Sequence, residues 1–393
     1  MANWINRVAS YWRQDNQLGP DEVKKSQAHS LISLHTTGNP VWTPRNYEAF
    51  AKQGFAENAI GYRCVKMIAE AAASVNLHVV EDGEALATHP LQELLQKPNP
   101  AESGRNLLES FYSFLQISGN AYLEAATLGH EVRELHVLRP DRMKVIPGQS
   151  GWPEAYEYSV NGSAVRFDQS KEPVAPILHV KMFNPLDDHY GMSPFEAAAK
   201  GIDIHNAAGA WNKALLDNAA RPSGALVYDN KGGDANLTEE QFDRLKKELE
   251  TTFQGASNAG RPMVLEGGLD WKPLSHSPKD MEHIEAKHVA AREIALAFGV
   301  PPMLLGIPGD NTFANYAEAN KTFWRQTVLP LVDKTSQSLN NWLSPAFGQN
   351  LSLGYNQENI SALSKEREAL WKTVNAAEFL TDNEKRRIAG IET

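Results

Sequence analysis

Between Pro194 and Ala220 the chain runs through alanine and larger apolar residues with proline only at the first position. A proline at N1 forfeits no helical hydrogen bond, and Ser193 stands before it as a capping residue. The segment therefore predicts one helix of about seven turns at about 3.6 residues each. Its apolar positions Ile202, Ile204, Ala207, Ala208, Trp211, Leu215 and Leu216 bear more apolar surface than one partner helix covers. A second helix is predicted from Lys279 to Phe298 and stops at Gly299-Val300-Pro301-Pro302, because paired prolines cannot continue it. Residues 221–278 between the two read as a compact α/β insert. Its pieces are a strand at Ala225–Tyr228, a glycine turn at 232–233, a helix opened by the capping box Thr238-Glu239-Glu240-Gln241, and strands near Met263–Leu265 and Trp271–Leu274.

Ahead of this hairpin the hydrophobic period changes twice. From Glu57 to Val75, Ile60, Cys64, Ile68, Ala72 and Val75 recur at three- and four-residue spacing and define the buried face of a helix. A strand at Leu77–Val80 ends at Asp82-Gly83, and Ser103 caps a helix that turns Leu107, Leu108, Phe111, Phe114 and Leu115 inward. From Asn120 to Lys181 the pattern is strand-like, with a hairpin turn at Asn161-Gly162, and predicts one antiparallel sheet covered by the two preceding helices. After Pro302 a Gly/Pro/Asn-rich loop runs from Met303 to Asn315, followed by a long helix from about Tyr316 to Leu343. A strand near Leu351–Tyr355 and helices at 361–379 and 382–389 complete the chain. Thr381-Asp382-Asn383-Glu384 is a second capping box. The fold class is α+β.

Composition excludes several function classes. Of 393 residues, 42% are hydrophobic, enough for a sizeable core without disulfides or metals. Cys64 is the single cysteine, so no intrachain bridge can form; a reducing compartment is its natural setting, and a buried position on its helix is expected. No apolar run reaches the roughly 20 residues of a membrane span, and the opening residues lack a signal-peptide pattern. Forty-eight acidic residues stand against 38 basic, for a net charge of −10, which disfavours a tight nonspecific grip on DNA phosphates.

Catalytic signatures are weak. There is no Gly-x-x-x-x-Gly-Lys-Ser/Thr and no His-Glu-x-x-His. His179 with Asp187, Asp188 and His189 is the nearest approach to a metal cluster, and reads better as a polar turn than as a two-metal phosphodiesterase. His276, His283 and His288 are spaced seven and five apart, which does not bring three rings to one helical face. Ser193 lacks the second glycine of a hydrolase elbow. Trp4, Trp12, Trp42 and Trp152 have no basic clusters beside them for binding single-stranded bases.

A series of phrases in fixed order carries a resemblance. They are Tyr62-Arg63-Cys64-Val65, His89-Pro90-Leu91, Pro98-Asn99-Pro100, Gly119-Asn120-Ala121-Tyr122, Leu135 to Pro140, and Ile177 to Val180 leading into Tyr190-Gly191-Met192-Ser193-Pro194. Pro222-Ser223-Gly224, Ala297 to Pro302 with Leu305-Gly306, Phe323-Trp324 with Leu329-Pro330, and Leu380-Thr381 with Asn383-Glu384 follow. Together they resemble the portal, or head-to-tail connector, proteins of lambda-like siphophages and of gene transfer agents. Trp42-Thr43 with Tyr47, Phe50-Ala51 and Gly54-Phe55 leans toward the gene transfer agents.

The resemblance implies a ring-forming subunit built of wing, stem, clip and crown. On this sequence those are an N-terminal arm at 1–45, a wing at 46–193, stem helices at 194–220 and 279–302, a clip at 221–278, a tunnel loop at 303–315, a tunnel helix returning to the wing at 316–360, and a crown at 361–393. It further implies a closed homo-oligomeric ring of about twelve copies at one capsid vertex, assembled in a bacterial cytoplasm. Double-stranded DNA passes through such a ring, the large terminase ATPase and later a head-tail adaptor dock on it, and capsid protein or scaffold surrounds it. No cofactor and no membrane contact are implied, and no catalysis. Asp310, Asn311, Thr312 and Phe313 are the expected DNA-facing residues. Asp229, Asn230, Lys231, Glu239, Glu240, Arg244 and Lys247 are expected on the clip surface facing terminase and adaptor. The rival readings are another head-tail ring component, such as an adaptor or capsid protein, and a metal-dependent phosphodiesterase.

Overall fold

The structure, a computed structural model, describes residues 42–217, 224–228, 240, 243–244, 247, 269–273, 283–308, 313–348, 350–357 and 360–388. The chain divides into two units, 1–41 and 42–393, and every described residue lies in the second.

Helix α1, Ala59–Ala73, forms where the four-residue spacing placed it. Asn58 is its cap, accepting from the backbone N–H groups of Ile60 and Gly61 at 3.1 and 3.0 Å. Cys64, Val65, Ile68, Ala69 and Ala72 are buried, and burial pushes the Cys64 thiol up to about 12. Strand β1, Leu77–Glu81, turns through Asp82 and Gly83, both at positive φ, into the short β2, Glu84–Ala85.

A helix that periodicity missed follows. α2, Pro90–Gln96, has proline at N1, and the imidazole of His89 accepts from the Leu91 N–H at 3.2 Å. The next loop, Pro98-Asn99-Pro100, is fastened to the wing by Asn99, whose amide donates to the Leu135 carbonyl at 3.0 Å while its oxygen accepts from Ala101 and Glu102. α3, Gly104–Ser118, is capped by Ser103 and ends on left-handed Gly119.

The strand-rich stretch forms two three-stranded antiparallel sheets, not the single one expected. β3, Asn120–Leu128, lies between β4, Glu131–Leu138, and β8, Ile177–Lys181. β5, Met143–Pro147, β6, Pro153–Val160, and β7, Ser163–Asp168, make the second sheet as an insertion between β4 and β8. Pro140, which cannot donate to a ladder, opens the short 3-10 turn Pro140–Arg142 where the chain leaves the first sheet. Along β3 the two-residue alternation serves both sides: Ala121, Leu123 and Ala125 join the large core with α1 and α3, while Tyr122 joins Leu138, Met143, Val145, Tyr156 and Ile177 between the sheets.

The stem follows. α4 spans Pro194–Asp217 and α5 spans His283–Ala297; residues 218–223 and 274–282, including the expected ends of both helices, lie outside the described residues. Of the insert, β9, Gly224–Tyr228, pairs antiparallel with β10, Leu269–Pro273, and residues 240, 243, 244 and 247 are helical. The turn at 232–233, Thr238 and the strand near 263–265 are outside the described residues.

The third long helix is not uniform. α6, Phe313–Phe323, passes through a π-helical stretch, Trp324–Val328, into α7, Leu329–Phe347. Pro330 accounts for the widening: it lacks an N–H and its ring would collide with the carbonyl four residues back in an ordinary α-turn. β11, Leu351–Tyr355, then pairs antiparallel with β1 from Leu77↔Tyr355 to Glu81↔Leu351, closing a third three-stranded sheet in the order β11-β1-β2. α8, Ser364–Ala376, and α9, Asp382–Ile388, end the described chain. The capping box forms: the Glu384 carboxylate accepts from the Thr381 N–H at 2.8 Å.

Candidate ring-forming and channel surfaces

The stem is rooted in the body by close packing and a polar clasp. Phe195, at the start of α4, meets Phe298 edge-on at 4.9 Å and lies against Gly54 and Gly61, where an added Cβ would come within 2.8 Å of its ring. Ser193 does two jobs: its hydroxyl accepts from the Phe195 N–H at 3.0 Å and donates to the Gln116 carbonyl at 2.9 Å, joining α4 to the end of α3. About three turns further along α4, Asn58 donates to the Asn206 side chain at 2.8 Å, and Asn206 donates to the Gln53 carbonyl at 3.0 Å. The Asp203 carboxylate accepts from the Thr43 N–H at 3.0 Å and from its hydroxyl. None of these pairs carries a sequence signal, because the partners are about 150 residues apart.

Along the same stretch α4 and α5 run against one another through small residues. At Gly201 a Cβ would stand 3.3 Å from the Ala290 carbonyl oxygen. Ile202, Ala208, Ala290, Ala291 and Ile294 are buried. The outward faces stay apolar: Ile204, Ala207, Ile284 and Val289 are exposed, and Leu296 is 79% exposed. Trp211 is half-buried, and the side chains of Leu215 and Leu216 fall outside the described set. The surplus apolar surface expected from sequence is present at Ile204 and Ala207 and is absent at Ile202 and Ala208.

The helix exit at Ala297 to Pro302 is held from the far side of the fold. Gly299 adopts φ +66°, and the Thr327 hydroxyl, on the π-helical stretch, donates to its carbonyl at 2.6 Å. Pro302–Leu305 form a 3-10 turn that ends on left-handed Gly306, and Ile307 is buried with Ala291 and Ala295. Arg292 donates to the Pro308 carbonyl. Asp310, Asn311 and Thr312 lie outside the described residues. Phe313, expected within the loop that ran to Asn315, opens α6, so the helix begins earlier than Tyr316; its side chain is not among those described.

Of the clip residues, Glu240, Arg244 and Lys247 are exposed on helical backbone, whereas Asp229, Asn230, Lys231 and Glu239 lie outside the described residues. The metal-like cluster resolves into structural roles. His179 stacks on Tyr122 with centroids 4.3 Å apart, lies 2.9 Å from the Asn120 side-chain oxygen and 3.4 Å from the Tyr156 hydroxyl; burial lowers its pKa to about 3. Asp187 accepts from the N–H groups of His189 and Tyr190, which hold its carboxyl below the usual range. Among the described residues no three His, Cys, Asp or Glu side chains converge as a metal site, and no helix is long and apolar enough to cross a membrane.

Comparison with known proteins bears on the same surfaces. The portal protein of Enterobacteria phage HK97 is 25% identical over 340 residues, covering 83% of this chain and 77% of that one. Chains from the neck of a native gene transfer agent particle, computed with C12 symmetry, and of an empty one, computed with C6 symmetry, are each 52% identical. Each comparison covers 90% of this chain and 96% of the other, with TM-scores of 0.71 and 0.74. The family model described as phage portal protein matches residues 59–390, from α1 through α9. The chain belongs to the phage portal protein family.

Proposed function

We propose that this portal subunit closes, about twelve at a time, into a ring at one vertex of a phage-like particle, and that double-stranded DNA enters and leaves through its bore. The observation that carries this is the stem: two antiparallel helices whose mutual contact uses small residues and whose outer faces keep Ile204, Ile284, Val289 and Leu296 in solvent. Among the described residues nothing covers that surface, whereas neighbours on either side of a ring would. The 52% identical neck chain with C12 symmetry supports the copy number.

In this reading residues 309–312, with Asp310, Asn311 and Thr312, and the adjoining Phe313 line the narrowest part of the bore. Glu240, Arg244 and Lys247, with Asp229, Asn230, Lys231 and Glu239, meet first the terminase motor and then the adaptor. Capsid protein or scaffold surrounds the ring. The role is structural: the motor ATPase performs the hydrolysis, and the net charge of −10 per copy suits a wall past which phosphate slides. Negative-stain imaging of the purified protein should show rings with a central opening wide enough for a duplex. A sample that stays monomeric under every assembly condition ends the proposal.

A further inference from the structure

The last two helices make a hairpin with little core of its own. Val374 is the only buried residue among the described side chains of α8 and α9. Leu370, Trp371 and Ile388 are exposed, and Phe379, in the connection between the helices, is 86% exposed. A seven-residue helix such as α9 does not hold its shape in water without tertiary support.

Between α8 and α9 lies a groove of about 530 Å³. Trp371 and Val374 supply its apolar floor, and Lys372, Lys385 and Arg386 its rim, with Glu368 at the edge. In a chain with net charge −10 this rim is locally cationic. The connection offers the converse: Phe379 stands directly after Glu378 and three residues before Asp382. Phe379 is not among the residues lining its own groove. One chain thus carries both an aromatic knob flanked by carboxylates and an apolar hole rimmed by cations.

We propose that Phe379 of each subunit seats in the α8–α9 groove of its neighbour, with Glu378 and Asp382 facing Lys372, Lys385 and Arg386 across the contact. The occupant is a second copy of this chain. A knob and a hole at different places on one subunit make a head-to-tail contact, which closes only if the copies turn about an axis. This rests on the ring reading above, and the C12 symmetry of the similar neck chain supplies such an axis.

The test uses full-length rings in which Phe379 is replaced by the photoreactive p-benzoylphenylalanine. Irradiation should give covalent dimers, with the cross-linked peptide falling within residues 368–386 of the adjacent copy. Rings that form but cross-link within one chain, to another segment, to a different protein, or not at all overturn the contact and leave the ring reading standing. If no ring forms, the ring reading fails and this one with it. As a second measurement, Phe379→Ser, by loss of one buried aromatic contact per interface, and Arg386→Glu, by setting like charges against Glu378 and Asp382, should each raise the concentration at which rings dissociate by about ten-fold or more. Their monomer melting temperatures should not change, since both side chains are exposed in the subunit. Rings as resistant to dilution as the parent overturn the contact.

Discussion

Gly299 shows how much one residue can decide here. Its φ of +66° lies where L side chains are strained, and a Cβ would stand 2.8 Å from the Thr327 hydroxyl oxygen, the group that holds the helix exit closed. Gly299→Ala should destabilise the fold by about 1–3 kcal/mol in denaturant unfolding. His179 carries a different liability. The unfolded imidazole takes up a proton below its ordinary 6.5, the folded one only below about 3, so stability is full above pH 6.5 and is lost as pH falls between those values. His179→Gln, which keeps one donor and one acceptor for Asn120 and Tyr156, should flatten the pH dependence of unfolding between about 6 and 4. An unchanged profile would place the acid sensitivity elsewhere. Sequence read the His179 cluster as a polar turn rather than a metal site; His179 lies instead on β8, and its stacking on Tyr122 comes from two strands paired across the first sheet.

At the scale of elements, local rules were reliable where partners are near in sequence. Asn161-Gly162 turned a hairpin, Thr381 and Glu384 formed their box, and Ser193 capped α4. They failed where a ladder had to choose partners. β8 returned to β3 and left β5 to β7 as a separate sheet, and β11 crossed the chain to β1. The stem depends on one close approach at Gly201. Gly201→Val should wedge α4 from α5 and cost about 1–3 kcal/mol of stability, because the packed helices cannot absorb the added volume without backbone shifts. Calorimetric melting of the variant checks it; an unaltered transition would show that the helices separate freely at this point.

For the whole molecule, the body and the channel segment make separable demands. Residues 309–312 lie between Pro308, tied to Arg292, and the start of α6 at Phe313. Deleting those four should therefore leave ring assembly intact by size-exclusion chromatography and imaging while lowering the yield of DNA-filled particles. Normal filling would remove the segment from the DNA path.

What the sequence determined alone is the set of local elements and the family: period, caps, prolines and an ordered series of phrases are properties of neighbouring residues, and they identified a helix–insert–helix chain of portal type. Tertiary structure decided which strands pair, that Asn58, Asn206, Asp203 and Thr43 clasp the stem, and where apolar surface is left uncovered. The physical reason is range. Caps and periodicity act within a turn or two, whereas sheet partners, close helix approaches and exposed faces depend on which distant segments meet.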